Sequence, residues 1–143
     1  MFRKILILAV AFTLAGCATA PTKTQFSNSR SYPGSYDAVW TQVVHFFATN
    51  NIPIKNIAKD SGVIYAEASS FDSNDADCGS NPLMTPQQNV IALNVFVQDK
   101  GDHREVSVNA TFRQVLVGPY NTVQTVTCLS RGTIEQTIFD SIH

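Results

Sequence analysis

The chain has 143 residues, ten basic and eleven acidic side chains, and a formal net charge of −1 at neutral pH. That length holds one domain with its own core and leaves little for a second. With charge nearly balanced and no basic cluster, nucleic-acid binding is excluded, and no stretch of eighteen apolar residues offers a membrane span.

The strongest signal lies at the start. Met1-Phe2-Arg3-Lys4 is cationic, Ile5 to Leu14 is apolar, and Leu14-Ala15-Gly16-Cys17 follows. A charged start, a ten-residue apolar run and small residues before a cleavage point make a secretory signal peptide, too short to span a bilayer. The Leu-Ala-Gly-Cys segment resembles the lipobox of bacterial lipoproteins. The resemblance implies that residues 1–16 are removed and that Cys17 becomes a lipidated N-terminus anchored in the membrane. Position 18 is Ala rather than the aspartate that retains such proteins in the inner membrane. This implies the outer membrane of a Gram-negative cell, facing the periplasm. An ordinary signal peptide cut near Ala18-Thr19-Ala20 is the alternative. Without residues 1–16 the chain keeps eight basic and eleven acidic side chains, a balance of −3.

Residues 17–34 are mostly small and polar and read as a flexible tether. Tyr32-Pro33-Gly34 is a turn that opens a single domain over residues 35–143. Ser35 is placed as an N-cap, with Asp37 in the first turn. Tyr36, Val39, Trp40, Val43, Val44 and Phe47 then fall on one helical face. Asn50-Asn51 and Pro53 stop that helix. On its other face His45 reads as a solvated side chain. Ile54–Ile57 and Val63–Ala68, joined by a turn ending at Gly62, read as a hairpin. Val90–Gln98, Val106–Val117 and Thr122–Cys128 read as three further strands, the second alternating strictly between apolar and polar residues. Ser130 is placed as the N-cap of a final helix lined by Ile134, Ile138 and Ile142.

Between the second and third of these strands, residues 69–89 show no periodicity. Long loops of this kind are often functional. Asp72, Asn74, Asp75 and Asp77 crowd it, but their spacing does not match a calcium loop, so no metal is expected. Phe71, Leu83 and Met84 are apolar residues on a loop. With Asp72, Asp75 and Asp77 they are the candidate partner-binding residues. Cys78 sits mid-loop. With Cys17 assigned to lipid, Cys78 and Cys128 form an even pair in an oxidising compartment, most simply a disulfide. Two free thiols or a metal pair are the alternatives.

Short links between strands imply an antiparallel sheet, and two amphipathic helices can cover its apolar face. The expected fold is α+β, with about five antiparallel strands and an N-terminal and a C-terminal helix packed on one face. Tyr36-Asp37-Ala38-Val39-Trp40, Asn51-Ile52-Pro53-Ile54 and Asp60-Ser61-Gly62-Val63-Ile64 together resemble the helix-grip domains of BamC-like outer-membrane lipoproteins. That resemblance implies an early helix, a strand with an Asp-x-Gly turn, and a late helix packed on the sheet. The chain departs from the pattern in having one such domain and no long N-terminal extension. No Gly-x-Ser-x-Gly, phosphate loop or Cys-x-x-Cys is present, so neither an enzyme nor a cofactor is expected. The expected function is a lipid-anchored periplasmic module that binds another envelope protein through the 69–89 loop or the exposed sheet face. The alternatives are a binder of small apolar ligands, with a cavity beside Trp40 and Phe112, and an inhibitor or immunity-type lipoprotein.

Overall fold

The computed structural model describes residues 17–143; the signal peptide expected over residues 1–16 lies outside the described residues. The elements run β1 (Ser29–Tyr32), α1 (Tyr36–Thr49), β2 (Ile54–Ala58), β3 (Val63–Ala68), β4 (Ala76–Asp77), β5 (Thr85–Asp99), β6 (Arg104–Val117), β7 (Val123–Ser130) and α2 (Thr133–Asp140). The seven strands make one sheet in the order β2-β3-β5-β6-β7-β4, and β1 also pairs with β6. Every one of these pairings is antiparallel. The fold is α+β, and the sheet exceeds the expected five strands by β1 and β4.

Burial alternates along the long strands. Ile91, Leu93, Val95 and Val97 of β5 and Val106, Val108 and Phe112 of β6 are buried, whereas Asn94 and Asn109 are exposed. One core cluster joins these side chains to Val39, Trp40, Val43, Phe46 and Phe47 of α1 and to Ile138 and Phe139 of α2. Ser35 caps α1 as its sequence position implies, accepting a bond from the Ala38 amide at 3.2 Å. The start of α2 differs from the expected cap. Its N-cap is Gly132, at φ +85°. The Ser130 hydroxyl, two residues earlier, accepts from the Gly132 amide at 3.0 Å and donates to the Glu135 carboxylate at 2.8 Å. Glycine is required at 132 because a side chain there would strike the Phe26 ring.

The two extra strands correct the expected layout. Residues 17–34, expected as a tether, carry β1 and lie along the domain. Ser29–Tyr32 pairs with Arg104–Ser107, and the buried Tyr32 donates its hydroxyl to the Phe139 carbonyl at 2.7 Å. Burial raises the Tyr32 pKa to about 12. Further toward the N-terminus, the Thr22 amide donates to Asp77 at 3.0 Å, and Thr19 exchanges two backbone bonds with Ser80 at 3.0 and 2.9 Å. These contacts are made by backbone groups, which small polar residues supply as well as apolar ones.

β5 occupies one edge of β6 along its whole length. β1 and β7 share the other edge end to end, β1 at residues 104–107 and β7 at residues 112–117. In the gap between them the Val108 amide donates to the Asn28 carbonyl at 2.8 Å. The Ala110 amide reaches the carboxylate of Glu135, a side chain only 2% exposed. Loss of water raises the Glu135 pKa, although the backbone and Ser130 bonds oppose the shift.

Candidate functional site

The 69–89 segment is shorter and more ordered than its sequence pattern suggests. β4 interrupts it and β5 begins at Thr85. Ala76 and Asp77 pair with Ser130 and Leu129 of β7. The next residue on each strand is a cysteine, and Cys78 and Cys128 are joined as a disulfide, with Cα atoms 4.1 Å apart.

The acidic residues of the loop serve its own backbone. The Asp72 carboxylate accepts from the Asn74 amide at 2.6 Å, and the Asp75 carboxylate accepts from the Asp72 amide at 3.1 Å. Asp77 accepts from the Gly79 and Thr22 amides, which hold its pKa below the usual carboxylate value, with Arg131 nearby at 3.5 Å. Among the described residues no cluster of three or more His, Cys, Asp or Glu is arranged to hold a metal. From the β7–α2 junction, Arg131 donates through its amide to the Asp75 carbonyl and through Nε to the Ser73 carbonyl, and Thr133 donates to the Asn74 carbonyl.

The candidate binding residues therefore separate into two places. Phe71, Asp72, Asp75 and Asp77 gather beside Arg131. Phe71 is half-buried and meets Phe112 edge-on at 5.0 Å, so it anchors the loop to the core rather than presenting an apolar patch. Leu83 and Met84 lie at the far end of the sheet, next to Gly118, where an added side chain would strike the Met84 sulfur. Leu83 is 74% exposed and Met84 half-buried. The disulfide lies between the two groups in the chain and fixes both to β7.

Two other surfaces surround this loop. One is a cleft of about 710 Å³ lined by Phe46, Ile52, Ile91, Leu93, Ile134 and Glu67. It lies at the C-terminal end of α1, not beside Trp40 and Phe112. Both of those side chains are buried, and Phe71 takes the space next to Phe112. No sequence pattern marks this cleft, because its walls come from five segments that each read as ordinary core or turn. The other is the outward side of β3, β5 and β6, which carries polar side chains together with the exposed pair Val63 and Phe96. There Tyr65, Asn94 and Asn109 stand in one cross-strand row, and the Tyr65 hydroxyl donates to Glu67. That bond holds the Tyr65 pKa above its ordinary value. Asn28 donates to Asn109 at 2.9 Å and extends the row to the N-terminal segment.

Compared with protein-family models and with characterised proteins, the chain finds no match.

Proposed function

We propose that the chain is a lipid-anchored interaction module of the bacterial outer membrane, held by lipid on Cys17 and binding another envelope protein. In this reading α1 and α2 lie on the apolar side of the sheet, in a helix-grip-like arrangement, and leave the polar side open to a partner. The observation that carries it is the alternation along β5 and β6, the two longest strands. Ile91, Leu93, Val95 and Val97 of β5 and Val106, Val108 and Phe112 of β6 are buried, while the row of Tyr65, Asn94 and Asn109 faces outward with hydrogen-bonding groups to offer. Polar residues on paired strands suit recognition, because their backbone is already fixed before binding. The pinned loop favours the same reading, since a cross-linked surface is pre-organised.

Two measurements test it. Cys17→Ser is expected to move the protein from the membrane fraction to the soluble periplasmic fraction; unchanged membrane association removes the anchor. A photo-reactive residue at Asn94 is expected to capture one dominant envelope protein in living cells, and Asn109→Arg to abolish that adduct. Failure to capture any protein at Asn94, or an adduct indifferent to Asn109→Arg, refutes the sheet face as the contact.

A second reading, binding of a small apolar ligand, is favoured by the cleft between Phe46 and Ile134. It predicts saturable binding of a fluorescent fatty-acid analogue that Leu93→Arg abolishes.

A further inference from the structure

Charge is distributed very unevenly over this sheet. No Asp, Glu, Lys, Arg or His occurs in residues 17–22, 78–98 or 114–130. Parts of all three, residues 17–22, 78–86 and 114–126, meet at one end of the molecule. Thr85 pairs with Val117, Val117 with Val123, and Thr19 with Ser80. Thr19, Met84, Leu116 and Gln124 line one shallow pocket there. The other end of the two long strands is the opposite in character. Asp99, Lys100, Asp102, His103, Arg104 and Glu105 crowd the turn that joins them. A fifteen-residue strand puts about 45 Å between the ends.

The uncharged end also carries the three most exposed large apolar residues among those described. Leu83 is 74% exposed, Val123 64% and Tyr120 102%. Tyr120 tips the turn between β6 and β7 with its backbone at φ +57°, followed by Asn121 at +59°. A non-glycine residue in the left-handed region costs roughly 1–2 kcal/mol. Full exposure means that the ring recovers none of this within the molecule. A strained, wholly exposed aromatic beside exposed Leu and Val, with no charge nearby, has its use outside the chain.

We infer that this end of the domain rests on the lipid bilayer, with Leu83, Tyr120 and Val123 entering the interfacial layer beside the anchor. The inference rests on lipidation of Cys17, the reading proposed above. Thr19 is two positions on from Cys17, a reach of about 7 Å at full extension. Thr19 is bonded to Ser80, so the 17–34 segment cannot act as a long leash. The interfacial layer of a leaflet is itself only about 5–8 Å deep. Acyl chains on Cys17 therefore bring Ser80, Met84 and their neighbours to headgroup depth. Tyrosine favours that depth, where its ring is buried and its hydroxyl stays wet. A bare charge would pay desolvation there; Leu83, Tyr120 and Val123 carry none, and Asp77, beside Gly79 and Thr22, is satisfied by their amides and faces Arg131 at 3.5 Å. The acidic and basic side chains at the 99–105 turn point the opposite way, into the periplasm.

The test uses the full chain, produced in a Gram-negative host, purified from membranes and reconstituted into vesicles of phosphatidylethanolamine and phosphatidylglycerol, with and without brominated acyl chains. Tyr120→Trp and, separately, Leu83→Trp report from the proposed contact, and Asp102→Trp from the far end. The parent protein supplies the background from buried Trp40. Emission from position 120 or 83 is expected to shift to the blue and to lose most of its intensity to the bromines, while position 102 keeps its full emission. Protein that floats with the vesicles yet shows no quenching at 120 and 83 overturns the docking and leaves the anchor standing. Equal quenching at all three positions overturns it too, since a tumbling domain has no preferred end. Protein that fails to float overturns the anchor, and the docking with it.

Discussion

Removal of the cross-link by Cys78→Ala with Cys128→Ala is expected to cost about 4 kcal/mol. The two cysteines are 50 residues apart, and closing a loop of that size removes about 4 kcal/mol of denatured-state entropy. The loop encloses β5, β6 and most of β7, so the restraint acts on the strands that form the centre of the sheet. At the unfolding entropy typical of a domain this size, the loss lowers Tm by about 15 °C. The folded state is expected to change little near residue 78. The Asp75 and Asp77 backbone stays paired to β7, and Arg131 and Thr133 still hold the 72–77 turn. The variant should therefore keep its native circular dichroism and unfold cooperatively at a lower urea concentration. Wild-type protein unfolded in reducing buffer should match the variant. A stability loss below about 1 kcal/mol in both would refute the entropic argument. A collapse of structure in the variant would instead show that the loop depends on the bond for its position.

Three further substitutions probe the local arguments. Gly62→Ala is expected to destabilise by about 2–3 kcal/mol, because Gly62 sits at φ +73° and an added Cβ would strike the Val97 carbonyl of β5; a urea midpoint within error of wild type would show that the turn can shift. Glu135→Gln tests the buried carboxyl. Its folded pKa is raised, so the folded state holds the proton more tightly, and the contribution of Glu135 is full below its unfolded value and lost as pH rises through the folded pKa. The variant is expected to gain stability over wild type as pH climbs from 4 to 7, measured by urea unfolding, and a pH-independent difference would contradict this sign. Tyr120→Asn is expected to stabilise detergent-solubilised protein by about 0.5–1 kcal/mol, since Asn tolerates the left-handed region better; a lower Tm would mean that the ring makes contacts within the protein.

The main elements were legible because they carry strong periodic signals. Ser35 with the Val39–Phe47 stripe marked α1, and the alternation from Val106 to Phe112 marked β6. The Cys78–Cys128 disulfide is legible from the cysteine count and the secretory signal that the N-terminal sequence resembles. The extra strands were not legible. In β1 only Tyr32 is fully buried, so Ser29-Arg30-Ser31-Tyr32 shows no apolar alternation. β4 is two residues long and exists through its pairing with β7. The Ser130 hydroxyl does bind at the start of α2, as its sequence position implies, but Gly132 is the residue that takes the cap. For the candidate site, exposure of Leu83 could be read from a loop position. Anchoring of Phe71 could not, because it depends on where Phe112 lies in a strand 41 positions later. The charge-free segments stand in the sequence, but only the register of β5, β6 and β7 shows which parts of them meet at one end.

The pairing of β1 with β6 sets an order on how the protein forms. Tyr32 and Arg104 are partners across 72 positions, and Ser29 and Ser107 across 78. Contacts that distant close late, because the β5–β6 hairpin must exist before β1 has an edge to join. On a chain already fixed at Cys17, residues 17–34 would reach up to about 60 Å while extended. Zipping β1 onto β6 and Thr19 onto Ser80 shortens that reach to two residues. With Cys17 lipidated as proposed, that last step of folding would work as a winch, drawing the finished domain down onto the bilayer.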